Sequence, residues 1–327
     1  MQKKSGIQCV PHLCGVILLL LVFQPATLWA NQATDSDQVN WQWWGGIGAE
    51  WFQWDEFLNG ERELREEGPR VSLATGIKTR QHNESGPVIS LSGRFTFGQV
   101  DYDGSVQWQA TENADSNSSD NDGNGKIDLV SPATTTTDYR AFHFIGEGGY
   151  RFQLTQRHTL EALGGLELDS WSRSLQSTSD IDIAETEYRD SDGNISEIQD
   201  YEDDFPEKAG GYTETYFLLA ARASLGMGHN LWRDWLLDWR LGARYPFLID
   251  EYDSGTGANL EPKGRVSNFA EARLSNRGSP WSLLLYFEEY NFDESDWEPA
   301  GFADNVLVKQ PRSESYRAGL AIKYQIK

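Results

Sequence analysis

Residues 235–249 read Trp-Leu-Leu-Asp-Trp-Arg-Leu-Gly-Ala-Arg-Tyr-Pro-Phe-Leu-Ile. One set of alternate positions is apolar: Trp235, Leu237, Trp239, Leu241, Ala243, Tyr245, Phe247 and Ile249. The other set contains Asp238, Arg240, Gly242 and Arg244. A helix would bring apolar residues together every three or four positions. A strict alternation puts them on one side of an extended strand, because successive strand side chains point to opposite faces.

The same period recurs along the chain. Residues 316–326 set Tyr316, Ala318, Leu320, Ile322, Tyr324 and Ile326 against Arg317, Gly319, Ala321, Lys323 and Gln325. Residues 213–227 set Phe217, Leu219, Ala221, Ala223 and Leu225 against Glu214, Arg222 and Ser224. Ten such segments fall near 41–54, 69–80, 87–109, 138–153, 159–175, 211–227, 234–250, 264–276, 281–294 and 313–326. Short turns join segments two and three, four and five, six and seven, and eight and nine, as at His82-Asn83-Glu84-Ser85-Gly86. Longer loops join the remaining pairs, including the first and second segments. This is the pattern of an all-β, antiparallel up-and-down transmembrane barrel of about ten strands, whose strands need roughly 9–11 residues to cross at a tilt. An even strand count places both termini on the short-turn side.

Alternation does not say which face is inside; a soluble barrel would bury the apolar face. Aromatic residues favour the membrane. Trp41, Trp43, Tyr150, Phe152, Trp235, Trp281 and Tyr324 fall near the short-turn ends. Trp51, Trp54, Trp171, Tyr212, Tyr245, Phe247 and Tyr316 fall toward the long loops. Two such girdles enclosing an apolar band are expected where rings sit at the headgroup level.

Lys3 and Lys4 are the only charged residues among the first 30, and an apolar run from Leu13 to Phe23 follows. Leu28-Trp29-Ala30 supplies a small-residue cleavage site, so residues 1–30 read as a signal peptide and 31–327 as a single barrel domain. Cleavage would remove both cysteines, Cys9 and Cys14, and with them any disulfide or thiolate chemistry. The chain has 327 residues, 50 acidic against 28 basic, and a net charge of −22. That balance excludes a nucleic-acid partner, whose phosphates call for clustered Lys and Arg.

The stretches Glu66-Glu67-Gly68-Pro69, Phe95-Thr96-Phe97-Gly98, Asp101-Tyr102-Asp103-Gly104 and Gln310-Pro311-Arg312-Ser313 through Tyr324 resemble those of Gram-negative outer-membrane β-barrel proteins, in particular a poorly characterised porin-like group. The resemblance implies residence in the outer membrane with periplasmic termini. It also implies contact with outer-membrane lipids and lipopolysaccharide, and insertion by the barrel-assembly machinery. Such proteins usually end in an aromatic residue; this chain ends Tyr324-Gln325-Ile326-Lys327.

If the apolar face meets lipid, the other face fills the lumen. Its charged members are then Glu50, Arg70, Lys78, Arg94, Glu147, Arg151, Glu161, Glu167, Asp169, Glu214, Arg222, Asp238, Arg240, Arg244, Arg265, Glu271, Arg273, Glu288, Arg317 and Lys323. The signs nearly balance, and confined charges are costly unless paired. The expectation is an internal salt-bridge lattice with a plugged or narrow lumen, and a structural, binding or adhesive role exercised by the loops. A narrow channel for small cations or solutes is the alternative.

The long loops are acidic; residues 176–209 carry 12 acids and 2 bases. Within the second long loop, Asp120, Asp122, Asn124, Lys126 (through its carbonyl) and Asp128 stand at calcium-loop spacing, with Gly125 for the turn and Ile127 as the apolar position. Position 12 is Ser131 rather than Glu, so binding would be weak. Asp190-Ser191-Asp192-Gly193-Asn194-Ile195 is a poorer match. No other cofactor is required. A further alternative is a hydrolase of the omptin-like or lipid A-modifying kind. His143 would be its inward-facing general base, but no Ser-His-Asp or paired-Asp motif accompanies it, and the expectation is a protein that is not an enzyme.

Overall fold

The computed structural model describes residues 41–58, 60–79, 85–108, 129–177, 186–189, 195–199, 211–232, 234–301 and 303–326. The signal-peptide reading, both cysteines, His82, the calcium-loop residues and most of the acidic third loop lie outside them.

Among the described residues the alternating segments form ten long strands: β1 (Trp41–Leu58), β2 (Glu61–Thr79), β3 (Gly86–Trp108), β4 (Leu129–Gln153), β5 (His158–Leu175), β6 (Thr213–Asn230), β7 (Trp235–Asp253), β8 (Ser267–Asn276), β9 (Trp281–Asp293) and β10 (Arg312–Ile326). Each pairs antiparallel with its sequence neighbours. The first and last close the ring, in a register running from Trp43 opposite Ile326 to Phe57 opposite Arg312. The result is a closed ten-stranded antiparallel barrel without free edges, the arrangement that satisfies every strand's backbone groups internally. Short strands in the loops, such as Glu298–Ala300 with Ala303–Val308, add to its long-loop end.

The apolar face points outward. Leu166 is 60 % exposed and Ile47 56 %, while Arg244 is 1 % and Glu167 1 % exposed. A soluble barrel would show the reverse. The outward face stays apolar from the short turns as far as Trp51, Val71 and Phe97. Beyond that line it turns polar, as with the exposed Gln99, Asp101 and Asp103. Nine residues from Trp43 to Trp51, at a rise of roughly 3.3 Å each and a tilt of roughly 40°, make a belt about 20 Å tall. The short-turn girdle lies outside as expected, with Trp41, Trp43, Tyr150, Phe152, Trp235, Trp281 and Tyr324 all exposed.

Four sequence expectations are corrected. Trp54 and Trp171 are buried and Tyr212 packs against them, so none belongs to the long-loop girdle. Their parity explains this: outward residues on β1 are odd-numbered and on β5 even-numbered. β1 and β2 are joined by a tight connection instead of a longer loop. Leu58 pairs with Glu61 across the connection, and Gly60 takes φ +89°, a left-handed backbone that glycine adopts without steric cost. Ile249 is buried rather than lipid-facing. Leu219 pairs with Leu248 and Ala220 with Pro246, so Phe247 is an extra residue that inverts the strand's parity beyond it. Arg265 lies outside the lumen, in the segment Lys263–Arg265, and faces Asp293 at 3.5 Å with both side chains exposed.

Candidate functional site

The interior of the barrel is the candidate site, and it has three levels. The middle level is the charge lattice. Glu167 on β5 meets Arg222 of β6 (Oε2 to Nη1, 2.8 Å) and Arg244 of β7. It also accepts a hydrogen bond from the Tyr290 hydroxyl at 2.6 Å. The same hydroxyl lies 2.7 Å from Asp169 Oδ2, which Arg317 approaches at 3.4 Å. Glu147 sits between Arg222 (3.0 Å) and Arg240 (2.7 Å). Arg70 donates to Glu50 through Nε at 3.0 Å, and Tyr286 donates to the other Glu50 oxygen at 2.7 Å. Taking one such ion out of water costs several kcal/mol, roughly, and only dense reciprocal pairing offsets it.

His143 belongs to this lattice. Its Nδ1 accepts from Arg94 Nη2 at 3.1 Å, because a guanidinium can only donate. The neutral ring therefore carries its proton on Nε2, which faces Glu167 Oε1 at 3.1 Å. His143, Glu167 and Asp169 bring ligand atoms within 4.8 Å of one another, a spacing compatible with a metal ion. The chemistry is not. Glu167 is already held by two arginines and Asp169 by a third, and the added positive charge of an ion would be repelled by all of them.

The long-loop level is aromatic and acidic. Trp171 stacks on Tyr216, with ring centres 4.6 Å apart and planes within 6°. Trp54 packs against Tyr216 at 5.6 Å and against Phe292 at 5.9 Å. Arg173 reaches into this layer and gathers Glu56 (2.8 Å), Glu214 (2.5 Å) and Glu66 (3.7 Å). Thr137 donates to Glu66 at 2.7 Å. Trp54 Nε1 donates to Glu56 at 2.8 Å. Glu251 is 1 % exposed, with Glu214 and Tyr216 beside it. This layer lies beyond the apolar belt. Burial, with the Glu214 carboxylate beside it, pushes the Glu251 carboxyl well above the usual carboxylate range.

The short-turn level is hollow. A cavity of about 400 Å³ opens between the short turns, with Arg157, Asn230, Arg277 and Gln325 at its mouth and Arg94, His143 and Glu288 of the lattice at its inner end. Lys78 meets Glu161 at 3.0 Å and Arg273 meets Asp238 at 2.6 Å on its walls.

The alternation of the sequence correctly places nineteen of its twenty lumen charges, Arg265 being the exception. It misses Arg173, Glu56, Glu66 and Glu251. Arg173 shares the odd parity of Glu167 and Asp169 on β5, and Glu56 the even parity of Glu50 on β1, so extending each pattern finds them. His158 and His229 lie at the turn-proximal ends of β5 and β6, with their Nδ1 atoms 2.9 Å apart.

No protein-family profile and no curated protein matches the chain. Solved structures do. The chain is similar to the outer membrane protease OmpT from Escherichia coli, at 11% identity and a TM-score of 0.53, over 90% of this chain and 99% of that one. It also aligns with the transport unit of the autotransporter AIDA-I from Escherichia coli (10% identity, TM-score 0.41, 92% and 96% covered). The translocator domain of the autotransporter NalP from Neisseria meningitidis aligns too (9%, 0.36, 99% and 100%). At these identities the likeness is one of fold, and the fold is that of outer-membrane β-barrel proteins.

Proposed function

We propose that this protein is an integral outer-membrane barrel, with both termini in the periplasm, whose lumen is closed and whose work is done by its long acidic loops in a structural, binding or adhesive role. The closure of the lumen carries this reading. Across the long-loop half the rings of Trp54, Trp171, Tyr216 and Phe292 meet one another, and Arg173 with its glutamates fills the space around them. Below them the lattice of Glu50, Glu167, Asp169 and their arginines occupies the axis. A ten-stranded ring leaves little room beyond its side chains, whereas wide aqueous channels take 16 or more strands. A hydrated ion would have to displace paired charges and an aromatic layer in turn.

A catalytic role gains no support from the lumen, since His143 is engaged by Arg94 and faces a carboxylate that three donors already share. Single-channel recording in planar bilayers tests the reading. Folded, inserted barrels that give no discrete openings support it; resolved unitary currents contradict it and favour a narrow channel.

A further inference from the structure

The turn-end cavity carries a charge opposite to that of the chain. The protein as a whole has a net charge of −22, yet the cavity is lined by nine Lys and Arg and only five Asp and Glu. Pairing does not remove the excess. Lys78 and Arg151 share the single carboxylate of Glu161. Arg240 turns to Glu147, which it shares with Arg222, itself also paired with Glu167 of the lattice. Arg277 at the mouth donates to a neutral partner, Asn230, at 2.8 Å. Lys323, on β10, has no carboxylate within 4.0 Å among the described residues. Its ammonium stands 3.8 Å from the centre of the Trp44 ring. A cation held over a ring face is attracted to it, while its remaining donors stay free to turn into the cavity.

Low-dielectric walls concentrate the field of these groups into the cavity. An ammonium and several guanidiniums converging on one space recognise oxyanions, which accept several charge-assisted hydrogen bonds at once. A volume of about 400 Å³ falls within the range of small-ligand pockets, roughly 300–1,000 Å³. We propose that this chamber is a binding site for a small multivalent oxyanion, carrying carboxylate or phosphate groups, with Lys323 as its principal anchor. The inference is separate from the reading of the lumen as closed: the chamber is a pocket entered from the short-turn side, and an anion can occupy it without passing through.

Calorimetric titration of the full chain, folded in detergent, with sodium citrate and separately with inorganic phosphate at constant ionic strength tests it. The expected result is saturable, one-to-one binding of at least one of the two, and the one that binds identifies the carboxylate or the phosphate class. Lys323→Gln weakens it at least tenfold, and Lys323→Arg restores most of it. Arg277→Gln, at the exposed mouth, weakens it severalfold and guards against a misfolded Lys323 variant. Trp44→Phe keeps the affinity and abolishes the fluorescence change that accompanies withdrawal of the ammonium from the indole. Absence of saturable binding for both anions overturns the proposal. So does an unchanged affinity in folded Lys323→Gln and Arg277→Gln.

Discussion

Arg173 on β5 reaches across the lumen to Glu56 on β1, Nη1 to Oε1, at 2.8 Å. The two strands are not neighbours in the ring, so this contact ties the wall together through its interior. The same guanidinium holds Glu214, on the adjacent β6. One positive group thus compensates several buried carboxylates in the layer that closes the long-loop end.

Removing it should be costly. Arg173→Gln leaves Glu56, Glu66 and Glu214 without their shared cation, and loss of one partner from a buried ion pair typically costs about 3–5 kcal/mol. Urea unfolding followed by gel migration without boiling should show a lower midpoint. By contrast, Arg265→Gln, whose one ion pair among the described residues is with exposed Asp293, should change stability by less than about 1 kcal/mol.

Glu251 sets a pH dependence. Its folded-state carboxyl is held well above the usual range by burial. Protonation therefore stabilises the folded form, and that contribution disappears as pH rises through the raised value. Glu251→Gln removes the titration. The variant should be more stable than the parent at pH 8, by on the order of 1–2 kcal/mol, and the difference should shrink toward pH 4. Urea midpoints of the two proteins at both pH values measure this; equal differences at the two pH values would remove Glu251 from the account.

Trp51 and Trp54 should report opposite environments though only three positions apart. Trp51 is 54 % exposed on the outer wall and Trp54 1 % exposed within. In vesicles containing brominated lipid, a variant retaining Trp51 alone should be strongly quenched. One retaining Trp54 alone should be quenched little.

Much of this could be read from the chain before folding. Strict alternation gives the strands and, with the girdle of Trp41, Trp43, Trp235 and Trp281, the side that meets lipid. Trp54 and Trp171 were assignable by parity; grouping them by height along the strand misplaces them, because height and face are separate coordinates. Ile249 and Glu251 were not assignable. A single extra residue at Phe247 inverts the faces beyond it, and a bulge with Pro246 beside it carries no unique sequence mark. The converging of Arg173, Glu56, Glu66 and Glu214 depends on strands far apart in sequence, which alternation within one strand does not relate. The turn-end chamber is hidden for the same reason: Lys323 and Trp44 come together only when the last strand closes on the first.

The calcium-loop spacing at Asp120, Asp122, Asn124, Lys126 and Asp128 gives a separate expectation. Calcium should bind weakly, and the combined Asp120→Ala and Asp122→Ala change should abolish the heat of binding in a calorimetric titration without altering the unfolding midpoint of the barrel.

The account depends most on an outer wall that belongs in hydrocarbon. Its most direct test is refolding of the urea-unfolded chain from residue 31 by dilution, with and without lipid vesicles, read by gel migration before and after heating. The account predicts a compact, heat-modifiable species formed only with vesicles or detergent, and aggregation in plain buffer. A monomer that folds and stays soluble in buffer alone would contradict it.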